Sequence, residues 1–254
     1  MIIQGPKRVA FFLPNTFTAL NMACGYASII LAFKGEFYFA ALLLLLGAIF
    51  DMVDGRVARM TGTQSVFGEQ FDSMSDVISF GVAPSLIIYL QLMSGLGRVG
   101  IVLSFFYLLC GTLRLARFNA NIDKVASNFF QGIPIPGAAL GIVGFVLLST
   151  EFNLGPYESY IAAVYCAFYS LLMITNIPFA SFKKSEWVRR NKRKVFALII
   201  LVFLLLITYE QVMIFGVINT YVLLCLIYAF KKRKDLSDLF SLEDEGEEEN
   251  EQTT

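Results

Sequence analysis

Uncharged stretches recur along the chain at Val9–Phe33, Phe37–Phe50, Val77–Gly97, Val99–Leu113, Ile133–Thr150, Ser159–Phe182, Val195–Tyr209 and Gln211–Phe230. A membrane-crossing helix needs about 20 mostly apolar residues, so the pattern predicts eight spans in an all-α, polytopic membrane helical bundle. Two stretches need a further argument. Phe37–Phe50 is long enough only if its helix continues through Asp51 and Asp54, which requires those carboxylates to face protein or water, away from lipid. Val195–Phe230 contains one charge, Glu210, and as a single helix would be about 54 Å long against a hydrocarbon core of ~30 Å. A helical hairpin turning near Glu210 is predicted instead.

The distribution of basic residues supports this division. With a cytoplasmic N-terminus, only Lys34 and Arg98 of the 20 basic residues fall outside, leaving 18 inside, as the positive-inside rule requires. The first 18 residues lack a small-residue cleavage site before the apolar run continues, so a retained N-terminus is expected.

Composition agrees: of 254 residues, 57% are hydrophobic and 16% charged, with a mean hydropathy of +0.66. The formal net charge of 0 conceals a division. Residues 235–254 hold nine acidic and no basic residues, leaving 20 basic against 11 acidic elsewhere. Such a tail is expected to be disordered and solvated, below a cationic face suited to anionic lipid. The expected domains are a membrane domain over 1–182, a basic loop plus transmembrane hairpin over 183–234, and the tail. Cys24, Cys110, Cys166 and Cys225 each stand alone in an apolar run, so neither a metal knuckle nor a disulfide framework is predicted.

The stretch "DMVDGRVARMTGTQSVFGEQFDSMSD", residues 51–76, concentrates the chemistry. Four unpartnered carboxylates within a membrane would cost on the order of 10 kcal/mol or more. Asp51 and Asp54 are three apart and Asp72 and Asp76 four apart, so each pair projects from one helix face. Two facing pairs make an oxygen cage suited to Mg²⁺ or Mn²⁺. With no histidine in the chain, imidazole chemistry is excluded and a carboxylate is the most suitable general base. A set of helix-end salt bridges with Arg56 and Arg59 is the competing reading. Gly55 and Ala58 after Asp54, and Gly68 before Asp72, leave notches where a flat group could approach the backbone.

The string Asp51-x2-Asp54-Gly55-x2-Ala58-Arg59-x8-Gly68-x3-Asp72-x3-Asp76 resembles the eight-position motif of the CDP-alcohol phosphotransferases at every position. "LPNTFTALNMACGYASI", "FDSMSDVISFGVAPS", "GTLRLARFN" and "FQGIPIPGAA" are similar to the branch that makes phosphatidylserine from CDP-diacylglycerol and serine. The likeness covers roughly residues 8–182 and implies a six-span core to which this chain adds the last hairpin and tail. It implies two divalent ions, Mg²⁺ or Mn²⁺, held by Asp51, Asp54, Asp72 and Asp76, with Asp76 also accepting a proton from the alcohol. It further implies CDP-diacylglycerol contacts from Asn15, Thr18, Gly55, Ala58, Arg59, Ser65 and Gly68.

Several of these positions have simpler readings: Asn15 as a helix N-cap, Ser65 as loop surface and Arg59 as a snorkelling interfacial arginine. A zwitterionic acceptor needs a cation for its carboxylate, and Arg114, Arg117 and Asn119 stand at the right depth for serine or a lipid phosphate. The positive-inside rule alone would also account for the two arginines. Gly137 and Gly141 form a small-xxx-small face expected to pack another helix within the chain. CDP-diacylglycerol, L-serine, the bilayer and, by resemblance, a second copy of the chain are the expected partners; nucleic acid is not. The expected location is a bacterial inner membrane with both termini and the site cytoplasmic. A different acceptor alcohol, such as glycerol phosphate or an inositol derivative, is the alternative within the same chemistry; a divalent-cation transporter is the alternative outside it.

Overall fold

The computed structural model of the chain describes residues 8–120, 129–152, 154–175, 177–180 and 209–231. Its helices are α1 (Arg8–Phe33), α2 (Phe37–Thr61), α3 (Val66–Leu96), α4 (Arg98–Ala120), α5 (Ile135–Glu151), α6 (Glu158–Ile174) and α7 (Glu210–Lys231). Five contain apolar segments long enough to cross a membrane: Phe12–Phe33, Phe37–Thr61, Val66–Leu96, Arg98–Ala120 and Gln211–Ala229. The other two, α5 and α6, are apolar helices of 17 residues, at the lower limit for spanning. The predicted span Val195–Tyr209, the basic loop and the acidic tail lie outside the described residues, apart from Tyr209 and Lys231.

The second apolar run does continue through its aspartates, ending at Thr61. Gly62 caps it in the left-handed region, φ 64°, with its N–H bonded to the Ala58 carbonyl, the conformation glycine adopts at least cost. Three residues later Ser65 starts α3, its side chain accepting from Gly68 N–H at 3.1 Å. The connector between the two aspartate pairs is therefore fixed at both ends.

α3 begins at Val66, well before the apolar run predicted from Val77, so Asp72 and Asp76 belong to the same continuous helix as the span. That helix widens into π turns at Val77–Val82 and Tyr89–Met93. At the first, Ala83 N–H reaches back five residues to Ile78 O. Pro84 has no N–H to offer the Phe80 carbonyl, and the buried Tyr107 hydroxyl of α4 donates to that carbonyl instead, at 3.1 Å.

α1 packs along α2, α4 along α6, and α7 against α5. Tyr107, Phe80, Ile87, Ile142, Tyr169 and Met173 are among the largest fully buried side chains. The bundle's outside carries exposed Tyr26, Phe33, Phe105, Val164 and Leu224, as expected where the surrounding solvent is lipid. The four cysteines are free and buried. Gly141 packs within the chain as expected: a Cβ there would overlap the Tyr169 ring. At Gly137 the nearest atoms to an added Cβ belong to Ile133 and Pro134, just before the start of α5. Gly144, unremarked in the sequence, lets α7 approach, since its Cβ would lie 3.0 Å from the Phe215 backbone.

The bundle is all-α, with a short pair of strands beside the helices. Phe129–Gln131 (β1) and Pro178–Ala180 (β2) pair antiparallel, Phe130 opposite Phe179. The sixth apolar run, expected to stay helical to Phe182, leaves the helix at Ile174 because Pro178 cannot donate to a continuing helix and disfavours helical geometry before it. Gly132, at φ 73°, follows β1. A Cβ there would come within 2.7 Å of the Met173 carbonyl and 2.8 Å of that of Thr175, so a side chain at this turn is excluded.

Candidate active site

Asp51 from α2 and Asp72 and Asp76 from α3 can each direct one carboxylate oxygen to a common centre, these oxygens lying within 4.8 Å of one another. Asp76 is buried and the other two half-buried. Two serines press α3 onto α1 at this level: Ser75 Oγ donates to Thr18 O at 3.1 Å and Ser79 Oγ to Asn21 O at 2.9 Å. Gly25 permits the approach, because a Cβ there would meet Ser79 within 3.0 Å.

The fourth aspartate of the expected cage stands apart from these three. Asp54 is buried, but its Oδ2 accepts a 2.8 Å hydrogen bond from Thr18 Oγ1. Three carboxylates converge, and the fourth is turned toward α1.

Like charges this close repel strongly unless a cation or proton joins them. One oxygen each of Asp72 and Asp76 is buried without a hydrogen-bond partner, which is costly in a packed interior. An all-oxygen donor set with unmet acceptor capacity fits a hard divalent cation. The site is compatible with such a metal.

Beside the cluster lies a cavity of about 300 Å³. Asn15, Thr18, Gly55, Ala58, Arg59, Ser65 and Gly68 all line it, together with Asp54 and Asp72. Every position to which the resemblance assigned a CDP contact is therefore on one wall or another. Asn15 lies within α1, which begins at Arg8, so the N-cap reading fails. Ser65 is a cap, with its hydroxyl engaged by Gly68. The notches are real but shallow: a Cβ on Gly68 would lie 3.3 Å from Ser65 Oγ and 3.4 Å from Asn15 Oδ1, and one on Gly55 3.5 Å from Arg59 Nη1. Thr63, Gln64, Glu69 and Phe118 also line the cavity. Sequence reasoning missed them; only the position of Phe118 beside Asn119 gave a signal.

The three candidates for the acceptor separate. Asn119 Nδ2 donates to Ser73 Oγ at 2.9 Å, tying α4 to α3 next to Asp72. Arg117 Nη1 donates to Ile174 O at 3.2 Å, at the end of α6. Arg114 is buried, stands 5.8 Å from the centroid of the cavity-lining Phe118 ring, feels the charge of Asp76 and has its Nε without a hydrogen-bond partner. Of the three, Arg114 has the buried guanidinium nearest in character to an anion site.

A helical membrane bundle with converging carboxylates beside such a cavity suits metal-assisted transfer of a phosphate-linked group. The sequence profile of the CDP-alcohol phosphatidyltransferases matches residues 11–171, and the chain belongs to that family. It is 40% identical over 205 residues to the CDP-diacylglycerol–serine O-phosphatidyltransferase of Helicobacter pylori strain 26695, covering 80% of this chain and 84% of that one. It is 40% identical over 181 residues to the archaetidylserine synthase of Methanothermobacter thermautotrophicus, 70% and 74% of the respective chains. Similarity to the CDP-diacylglycerol–serine O-phosphatidyltransferase of Methanocaldococcus jannaschii, 37% identical, covers 213 residues, 84% of this chain and 88% of that one. A match of that extent continues beyond residue 182, where the motif resemblance ended.

Proposed function

We infer that this chain transfers the phosphatidyl group of CDP-diacylglycerol to the hydroxyl of L-serine, releasing CMP and forming phosphatidylserine. The observation that carries the reading is the cavity beside the aspartates, which gathers all seven positions expected to hold CDP. The relatives' names support the acceptor: both printed activities share serine while the lipid named differs.

In this reading the serine hydroxyl oxygen bonds to the phosphorus attached to diacylglycerol, the bond from that phosphorus to the CMP oxygen breaks, and CMP leaves with the electron pair. Asp76 takes the hydroxyl proton, a task suited to a buried carboxylate that neighbours the cavity-lining Asp72. Asp51, Asp72 and Asp76 would hold a divalent metal, with Asp54 completing the set from the Thr18 side. Mg²⁺ or Mn²⁺, in two sites as the resemblance implies, supplies neutralisation of pyrophosphate charge when bound. Thr18 orients Asp54. Asn15, Ser65 and the Gly55–Ala58 face receive the nucleotide, with Gly68 keeping the opposite wall open and Arg59 covering the phosphates. Arg114 receives the serine carboxylate, while Arg117 and Asn119 hold α4 in position to present it.

The same reading places the site on the cytoplasmic side of a bacterial inner membrane, supported by the 18 of 20 basic residues that fall on that side. It takes residues 1–182 as the catalytic domain, 183–234 as an added loop and hairpin, and 235–254 as a solvated tail, with the working unit a homodimer.

Purified protein given CDP-diacylglycerol and a panel of labelled alcohols should release CMP with serine, lose that activity on exhaustive chelation and regain it with Mg²⁺ or Mn²⁺. CMP release with glycerol phosphate or inositol but not serine would reassign the acceptor. Activity surviving chelation would sink the metal assignment.

A further inference from the structure

Asn21 lies on α1 one turn beyond Thr18 and is completely buried. Neither its amide nitrogen nor its amide oxygen has a hydrogen-bond partner among the described residues. Buried side-chain amides are nearly always paired, so an amide left bare in a packed junction points to a group absent from the folded chain alone. An apolar residue would fill such a position without that penalty, which makes the polarity itself the observation to explain.

Its neighbours locate the missing group. A Cβ on Gly47 would lie 3.0 Å from Asn21 Oδ1, so the amide rests against α2 one turn before Asp51. The Asn21 carbonyl is held by Ser79, one turn beyond Asp76 on α3. Asn21 therefore occupies the α1 wall of the junction whose other walls carry Asp51 and Asp76. Asp76, one turn from Ser79 on α3, keeps an unpartnered buried oxygen. An unmet donor and an unmet acceptor thus neighbour each other along one helix junction, and no direct hydrogen bond joins them. A purely mechanical role is already filled, since Thr18, Ser75 and Ser79 supply hydrogen bonds between α1 and its neighbours without the Asn21 side chain.

We propose that Asn21 is a positioning residue of the carboxylate cluster: with a divalent cation bound, its amide donates to a bridging water that donates in turn to the Asp51 and Asp76 carboxylates, fixing which oxygens face the cation. A water so placed has the polar partners a buried water requires. The proposal rests on the reading of the cluster as a cation site. Residues that orient metal ligands typically change metal affinity 10- to 100-fold when replaced.

The test is Mn²⁺ binding to the purified full chain in detergent, without substrate, followed by electron paramagnetic resonance, with the thermal midpoint measured in chelator. Asn21→Leu, close in volume and apolar, is expected to weaken Mn²⁺ binding about 10- to 100-fold while the midpoint in chelator holds or rises. Asn21→Ser, small enough to admit a water, is expected to recover part of the lost affinity. If Asn21→Leu does not fold, Asn21→Ala carries the same expectation for affinity. Unchanged Mn²⁺ affinity in a folded variant, with Asp76→Asn weakened, overturns the proposal and leaves the cation site standing. A lower midpoint in chelator with unchanged affinity makes Asn21 structural and overturns it equally. If the unaltered chain binds no Mn²⁺, or Asp76→Asn binds it as well as the unaltered chain, the cation site falls and the proposal with it.

Discussion

Tyr165, Tyr169 and Asn219, where α5, α6 and α7 meet, and Asp51, Asp72 and Asp76, where α2 and α3 face α1, are two polar islands in one apolar bundle. In the first, Asn219 Nδ2 donates to Tyr165 Oη at 2.9 Å and to Phe215 O at 2.8 Å. Tyr165 Oη donates to Gly141 O at 3.2 Å, and Tyr169 Oη to Asn219 Oδ1 at 3.2 Å. The Tyr165 ring stacks on Phe145 with centroids 4.7 Å apart. Every polar atom of that group has an answer within the chain. In the second island, acids crowd together and two of their oxygens have none. Within the hydrocarbon core, where no water can substitute, the closed network is what fastens helices; the open one, beside a cavity, keeps acceptor capacity free for a cation or water.

The comparison breaks most visibly at Asp76. Asp76→Asn should reduce turnover by at least about 100-fold while CDP-diacylglycerol still binds and the chelated protein melts no lower than before, because a repelling charge has gone. Retention of more than about a tenth of the rate would remove Asp76 as proton acceptor. A smaller loss is expected from Arg114→Lys, which replaces a bidentate fork by a point charge. The KM for serine should rise roughly 5- to 150-fold, far more than that for CDP-diacylglycerol. Equal changes in both constants would move the arginine to the lipid phosphate.

Thr18→Val tests the edge of the open island. Without its hydroxyl Asp54 loses its 2.8 Å donor, and activity should fall on the order of 10-fold, with the loss partly recovered at high Mg²⁺. The closed island should respond in the opposite currency of effect. Asn219→Leu leaves two tyrosine hydroxyls short of partners and should lower unfolding stability by roughly 1 to 3 kcal/mol, with turnover per folded molecule within about twofold of the original, since no step at the aspartates uses it. A large loss of turnover in folded protein would show that the two islands are coupled.

The open island was largely legible in the sequence because fixed spacing on helices becomes geometry directly. Asp51, Asp72 and Asp76 converge for that reason, and the predicted nucleotide positions reach one cavity because the Gly62–Ser65 connector holds their helices together. Asp54 shows the limit: spacing assigns a helix face but not the rotamer that Thr18 selects. Thr63, Gln64, Glu69 and Phe118 enter the cavity through tertiary packing, which no periodicity records. Asn21 sits three residues after Thr18 and six after Asn15, on one stripe of α1, and that spacing was the available signal. Asn119 and Arg117, read from the sequence as acceptor contacts, also each hold one hydrogen bond across helices, to Ser73 and Ile174, which no periodicity records. β1 and β2 are too short to display alternation, and Asn219 gave no sign that it would gather two tyrosines from another helix.

The π turn after Asp76 has a consequence for insertions and deletions. It holds roughly one residue more than a regular turn, so α3 above and below Val77–Val82 keeps the phase of an ordinary helix one residue shorter. Closing the wide turn into regular helix without removing a residue would swing Asp72 and Asp76 by about 100° relative to buried Ile87 and Ile88, whereas removing one residue along with it would leave their phase nearly unchanged. A substitution that closes the turn would therefore move both acids off their axis without touching either. In these six residues the hydrogen-bonding pattern of the backbone aims the carboxylates.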